Sequence, residues 1–135
     1  MSVRITGRLT SPVRTTLTHE SSSSISTMAP KDNGGDGSTF SPTDLCAASL
    51  GSCVATTIGL YARRKGIPLT SIDFSVEKHM TTEPPRRIAR LVVGFVIHSP
   101  CTEEDFVRLV NAGKTCPVRR SLHPDVMVDE TYERS

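Results

Sequence analysis

Cysteine is the residue type with the most distinctive chemistry in this sequence, and two of the four cysteines stand in informative local surroundings. Cys116 precedes Pro117, a pair that is typical of a helix N-terminus, and Lys114 and Arg119 lie close by in the sequence. A helix N-terminus and nearby cations both stabilise a thiolate, so local physics alone predicts that Cys116 is the more acidic thiol. Cys53 lies in the middle of a predicted helix, where only a cation from another element could activate it.

The alternative interpretation of each cysteine is an inert core residue, because a free cysteine behaves as a small hydrophobe. We place Cys46 and Cys101 in that class. Cys46 and Cys53 share one predicted helix, and their Cα atoms should lie roughly 10 Å apart, which is too far for a disulfide. Any partner of Cys53 must therefore come from elsewhere in the chain.

Other candidate chemistries lack their sequence patterns. The four histidines are scattered, and no Cys/His pair has the spacing that is typical of a zinc site. The glycine-rich segment at 31–39 has neither the Lys-Ser/Thr pair of a P-loop nor a dinucleotide-binding fingerprint. Neither a G-x-S-x-G elbow nor a paired-carboxylate signature is present.

Length and composition predict one domain, spanning 1–135, with room for one core. The net charge of +2, an aromatic content of 4% and the lack of tryptophan argue against a nucleic-acid partner. The N-terminus lacks the apolar run of a signal peptide, and we expect no segment long and apolar enough to span a membrane. Four irregularly spaced cysteines in such a chain predict reduced thiols and a cytoplasmic location.

The segment from 40 to 66 is the predicted helix that carries Cys53. Ser41-Pro42 is a helix-start signal, and Asp44 suits the positive end of the helix dipole. A basic cluster and then Gly66 mark its end. Several small residues, among them Gly51 and Gly59, imply close approach by another backbone, because glycine costs about 1 kcal/mol within a helix. We therefore predict a long buried helix packed against another helix, which could be its own copy in a dimer.

The remaining elements predict an α+β domain, since strands come first, followed by the long helix, a hairpin and C-terminal helices. Alternating apolar residues predict a half-buried strand at 70–80, and apolar residues on both faces predict a central strand at 87–98. Thr102 and Asp105 form a capping-box pattern at the start of a helix that ends at Gly113. The other predicted elements are strands at 2–9 and 13–28, a short helix at 116–122 and a strand at 126–132. The serines at 21–24 are expected to form a polar strand edge or the tip of a hairpin.

Two segments together resemble the OsmC/Ohr family of osmotically induced and organic hydroperoxide resistance proteins. They are SPTDLCAASLGSCVATTIGLYARRKGI and the later CPVRRSLHPDV, and the likeness also runs through EKHM and the Pro-Arg-Arg-Ile strand. The resemblance implies an OsmC-like fold in an intertwined homodimer, with the long helices packed at the centre. It also implies thiol-dependent reduction of organic hydroperoxides, with no metal or flavin cofactor and with an external dithiol as reductant.

By position in the family, Cys53 would be the peroxidatic cysteine and Cys116 the resolving one. The family also uses a glutamate early in the long helix and an arginine from the N-terminal region to activate the thiol. This sequence departs from that pattern, since Thr43 stands at the glutamate position with Asp44 beside it. The arginine has no single match, and the candidates are Arg4, Arg8 and Arg14.

Three functions therefore remain open on the sequence. The first is a thiol peroxidase of the kind that the resemblance implies. The second is a dimeric binding or structural protein that keeps the fold without efficient turnover. The third is a hydrolase of small acyl substrates that uses Cys53 as its nucleophile.

Overall fold

The computed structural model describes all 135 residues and divides into two compact units, 1–46 and 47–135. Each unit is described by itself below. The single domain that length and composition indicate stays a prediction.

The N-terminal unit is built on a three-stranded antiparallel sheet of β1 (Ile5–Thr10), β2 (Arg14–His19) and β3 (Ser24–Met28) in that order. The turn at Ser11-Pro12 is confirmed. The predicted strand region at 13–28 forms β2 and β3, and the hairpin tip that the serines at 21–24 suggest is confirmed, since a tight turn joins the two strands with Ser22 at a φ of 77°. The glycine-rich segment that follows contains only a short 3-10 helix, Lys31–Asn33.

The predicted long helix is α1, Pro42–Lys65. Its N-terminus is a reciprocal capping box, in which the backbone N–H of Asp44 donates to Ser41 Oγ and the Ser41 N–H donates to Asp44 Oδ2. Gly66, at a φ of 68°, ends the helix in the left-handed conformation that glycine adopts at little cost. The buried residues recur every three or four positions along one face: Ala47, Leu50, Gly51, Val54, Ile58 and Ala62.

By length and composition alone, α1 could cross a membrane. An 18-residue window has a mean hydropathy of 1.5, and 33% of that window is buried. The prediction that no segment reaches this measure is therefore wrong, because the alanines and aliphatic residues outweigh the interrupting serines and threonines. The signal is weak evidence, since a core helix passes the same test. Leu50, Val54 and Ile58 of α1 are indeed completely buried.

The C-terminal unit contains a second three-stranded sheet, with helices between its last two strands. Its elements are β4 (Ser71–Met80), β5 (Ile88–His98), α2 (Glu103–Gly113), α3 (Pro117–Ser121) and β6 (Met127–Arg134). β5 is the central strand, as its apolar faces predict, and pairs with β4 antiparallel and with β6 parallel. Thr102 caps α2 by accepting a hydrogen bond from the Asp105 N–H. The α+β fold class is confirmed.

The glycines of this unit do not all serve the purpose that the sequence suggests. A Cβ added at Gly51 would lie 2.6 Å from the Phe74 ring. This glycine therefore allows α1 to pack closely against β4, and not against a second helix. Gly113 at the end of α2 is the one that brings two helices together, since a Cβ there would lie 2.9 Å from Ile58 Cδ1. A Cβ at Gly59 would meet nothing within 4 Å.

Candidate active site: a pair of cysteines in contact

Cys116 occupies the N-cap position of α3, in the short connection from α2. Its backbone N–H donates to the Gly113 carbonyl at 3.3 Å, and Pro117 fills the first helical position. The residue is completely buried, with 0% of its surface exposed. The sequence prediction that Cys116 lies at a helix start is therefore confirmed, but the side chain is shielded from solvent.

Cys53 lies on α1 and is partly exposed, and its sulfur is hydrogen-bonded to the Cys116 thiol. The packing of the two helices explains this contact. Val54, next to Cys53, packs against Gly113, three residues before Cys116, and a larger residue than glycine would hold the helices apart. The structure therefore brings together the two cysteines that the sequence singles out. All four cysteines of the chain are free thiols.

Burial raises the pKa of the Cys116 thiol, and the hydrogen bond with Cys53 raises that pKa further. The backbone N–H groups of Arg119 and Val118 act in the opposite direction but do not reverse the outcome. The expectation that local surroundings make Cys116 an acidic thiol is therefore wrong. Desolvation outweighs a helix of only five residues, and the fold favours the neutral thiol.

Arg119, one of the cations that the sequence places close to Cys116, pairs with a carboxylate on another element. Its guanidinium forms an ion pair with Glu130 of β6, whose side chain is only 6% exposed. Glu130 also accepts a hydrogen bond of 2.9 Å from the Tyr132 hydroxyl. Burial and the Glu130 carboxylate raise the pKa of Tyr132 well above its ordinary value.

Sequence reasoning missed Glu130 and Tyr132, although a signal was present. Val128, Glu130 and Tyr132 alternate along β6 and pair with Leu91, Val93 and Phe95, which are completely or almost completely buried on β5. An acidic residue on the apolar face of a strand needs a partner, because burying a lone carboxylate is costly. We define the side chains of Arg119, Glu130 and Tyr132 as the β6 cluster. They line a cavity of about 520 Å³ together with Lys114 and Val128.

The candidate activating groups Thr43, Asp44, Arg8 and Arg14 lie in the N-terminal unit. Asp44 and Thr43 both hydrogen-bond Ser41 at the start of α1. Arg8 is exposed on β1. The Arg14 guanidinium on β2 donates to Ser38 Oγ at 3.2 Å. Hydrogen bonds from Ser38 lower the pKa of Asp36, and the charge of Arg14 adds a smaller effect in the same direction. The action of these groups on Cys53 stays a prediction.

The other candidate residues take no part in this arrangement. Cys101 donates its backbone N–H to Ser99 Oγ in the segment before α2. His79 and His98 each pair with a carboxylate on β4, Glu77 and Asp73 respectively. No group of three or more His, Cys, Asp or Glu side chains could hold a metal ion.

Fold and site together define a class of α+β protein in which a long helix presents one cysteine to a second at a helix start. Residues 35–131 match the family of OsmC-like proteins. The chain therefore belongs to the OsmC-like family. No protein of curated function matches the sequence significantly.

Three solved structures illustrate the relationship. A protein from Psychrobacter arcticus, described as an osmotic stress induced and detoxification response protein, is 34% identical, with 98% of this chain and 96% of that chain covered and a TM-score of 0.86. An OsmC-like protein from Mycoplasma pneumoniae is 19% identical, with 99% and 97% covered and a TM-score of 0.81. An organic hydroperoxide resistance protein from Vibrio cholerae, with captopril bound in one active site, is also 19% identical, with 98% and 91% covered and a TM-score of 0.73.

Proposed function

We propose that this chain is a thiol-dependent peroxidase that reduces organic hydroperoxides. The observation that carries the proposal is the contact between the Cys53 and Cys116 sulfurs inside one compact unit. Two thiols in contact can form a disulfide without a large rearrangement, and they are the redox centre that such a reaction needs. The relatives described as hydroperoxide resistance and detoxification proteins support the same activity.

The reaction balances in three steps. The Cys53 thiolate attacks the O–O bond and becomes a sulfenic acid, while the alkoxide leaves and takes up a proton as the alcohol. The Cys116 thiol then attacks the Cys53 sulfur, and the hydroxide of the sulfenic acid leaves with the thiol proton as water. An external dithiol reduces the resulting disulfide by exchange and is itself oxidised to a disulfide.

Burial supports this division of roles between the two cysteines. Cys116 is completely buried and favours its neutral form, so it is poorly placed to meet a peroxide as a thiolate. Cys53 is partly exposed and is therefore the sulfur that a substrate can approach. We further propose that Asp44 or Thr43, with Arg8 or Arg14, activates Cys53 in the assembled protein.

The working protein in this proposal is a cytoplasmic homodimer of OsmC-like domains that span 1–135. Apolar residues that one chain leaves exposed support a partner: Ile5 and Leu9 are 64% and 66% exposed, and Leu60 on α1 is 48% exposed. Gly59, one residue before Leu60, has open space where a Cβ would stand. We propose a second copy of α1 as the partner of the α1 surface that carries Gly59 and Leu60.

The decisive experiment is a single turnover with one equivalent of cumene hydroperoxide, followed by mass mapping without reduction. The parent protein should form an intrachain Cys53–Cys116 disulfide. Cys53→Ser should abolish peroxide consumption, and Cys116→Ser should trap a sulfenic acid on Cys53 that dimedone labels. Cys46→Ser and Cys101→Ser are the matched controls and should behave as the parent does.

Each contrary result has its own meaning. A disulfide that involves Cys46 or Cys101 contradicts the assignment of the two sulfurs. Dimedone label on Cys116 in the Cys53→Ser variant, at the parent rate, reverses their roles. If the parent does not react with the hydroperoxide, the protein is not a peroxidase, and the alternative functions, a binding protein or an acyl hydrolase, are then favoured.

A further inference from the structure

The short helix α3 that follows Cys116 has little to hold it in place. None of its five residues is buried, so it lacks the apolar anchor that normally docks a helix. Its side-chain attachment to the sheet is the ion pair from Arg119 to Glu130. Because Cys116 is the N-cap of the same turn, whatever holds Arg119 also holds the Cys116 backbone.

Glu130 is itself fixed from two sides. Its second carboxylate oxygen accepts the Tyr132 hydroxyl, and the Tyr132 ring stacks on Phe95 of the central strand with centroids 5.0 Å apart. The Glu130 carboxylate, with its side chain only 6% exposed, is costly to desolvate, and an ion pair that is partly buried in this way is weak evidence for a stabilising role. The Arg119–Glu130 ion pair is therefore better explained by a role other than stability.

The position of Arg119 indicates that purpose. Arg119 follows Cys116 by three residues, so both side chains lie on the same side of the turn. A guanidinium free to face the sulfur would favour the thiolate form of Cys116. Glu130 instead binds this guanidinium and neutralises its charge.

We propose that Glu130 is the positioning residue of the resolving step. Through Arg119 it holds the Cys116 sulfur against Cys53, and it keeps the positive charge of Arg119 away from that sulfur. Cys116 is thereby held as a thiol that attacks only the neighbouring sulfenic acid and does not compete for peroxide. This inference rests on the proposed function only for the identity of the step that it serves.

The charged and titratable groups around Cys116 come from every element that packs near it. They are Cys53 on α1, Lys114 in the connection from α2, Arg119 on α3, and Glu130 and Tyr132 on β6. Glu130→Gln removes the negative charge from this set and keeps the shape and hydrogen-bonding capacity of the side chain. Asp129→Asn is the matched control, because Asp129 is the neighbouring acid on β6 and also pairs with an arginine, Arg90.

The first measurement is the pH profile of Cys116 alkylation in the reduced protein, read at the Cys116 peptide by mass spectrometry. In Glu130→Gln the midpoint should fall by about one pH unit, since an unneutralised opposite charge nearby lowers a pKa by roughly that amount or more. The double variant Arg119→Gln/Glu130→Gln should restore the parent midpoint, and Asp129→Asn should leave it unchanged. A purely structural loosening would raise the rate at every pH without moving the midpoint.

The second measurement is the rate at which the Cys53 sulfenic acid becomes the disulfide. The double variant leaves no unpaired charge, so it can be studied even if Glu130→Gln does not fold. Its resolving rate should fall at least about tenfold, because small misplacements of reacting atoms are costly.

An unchanged midpoint in Glu130→Gln, a shift that persists in the double variant, or a parent rate of resolution in the double variant would overturn the proposal. The alkylation profile needs no peroxide. A protein that shows the midpoint shift but no sulfenic acid would therefore refute the peroxidase function and leave the electrostatic role of Glu130 standing.

Discussion

At the scale of single residues, the site is defined by ionisable groups that the fold keeps neutral. Burial raises the pKa of Cys116 and of Tyr132; Tyr132 is a member of the β6 cluster, and Cys116 is close enough to act on it. Cys116 is also among the groups that raise the pKa of Tyr132, after burial and Glu130. A neutral thiol and a neutral phenol therefore stand beside one compensated ion pair, Arg119–Glu130.

This arrangement predicts a loss of stability at alkaline pH. The unfolded phenol ionises near its ordinary pKa of about 10, while the folded Tyr132 keeps its proton to higher pH. The native state then binds more protons than the unfolded state, so the free energy of unfolding falls as pH rises above about 10. Tyr132→Phe should flatten this fall in thermal unfolding experiments between about pH 8 and about pH 11.

Tyr61→Phe is the control, because it removes the other phenol of the chain, which lies outside the cluster on α1. The control should keep the parent slope. Equal slopes for the parent and Tyr132→Phe would contradict the role assigned to Tyr132.

At the scale of elements, the distance between the two sulfurs depends on how closely α2 approaches α1. Gly113 sets that distance, since any larger residue meets Ile58 and Val54. Cys116 follows Gly113 by three residues and donates its N–H to the Gly113 carbonyl, so it moves with the end of α2.

Gly113→Ala should therefore slow disulfide formation strongly while it lowers the free energy of unfolding only moderately. The added Cβ would lie 2.9 to 3.1 Å from Ile58 and Val54, which overpacks the helix contact and costs about 1–3 kcal/mol. A displacement of the order of 1 Å at the sulfur can reduce a rate by about a hundredfold. Stopped-flow measurement of disulfide formation tests this, with urea unfolding as the measure of stability. Asn111→Ala, an exposed substitution on α2, should change neither quantity. A parent rate in Gly113→Ala would show that the spacing does not depend on this glycine.

The elements whose signals are local could be predicted from the sequence, and those that depend on tertiary partners could not. Ser41 and Asp44 define the start of α1, and Thr102 defines that of α2, because capping needs only neighbouring residues. The acidity of Cys116 was predicted in the wrong direction, because the dipole and the cations are visible in the sequence whereas burial is not. Glu130 could have been noticed as an acid on an apolar strand face, but its partner Arg119 could not have been identified without the parallel pairing of β6.

At the scale of the whole molecule, we predict an obligate homodimer. One chain leaves apolar residues exposed on β1 and along α1, where Gly59 offers room for a close helix contact. Sedimentation at micromolar concentration should show a dimer as the main species. Gly59→Leu should weaken that dimer, because it fills the space that a partner helix would occupy, whereas the exposed substitution Asn111→Ala should not. A folded monomer as the main species of the parent would contradict the prediction.

The parallel pairing of β6 with β5 bears on the order in which the protein folds. Parallel strands need a long crossover, and here α2, α3 and Cys116 all lie within it. Contacts between residues far apart in the sequence form slowly, because the loop between them must close first. Arg119 can pair with Glu130 only once β6 has docked on β5. A chain still emerging from the ribosome therefore lacks the ion pair that holds α3 and Cys116. We therefore expect the two sulfurs to come into contact late in folding, after α1 and the β4–β5 hairpin have formed.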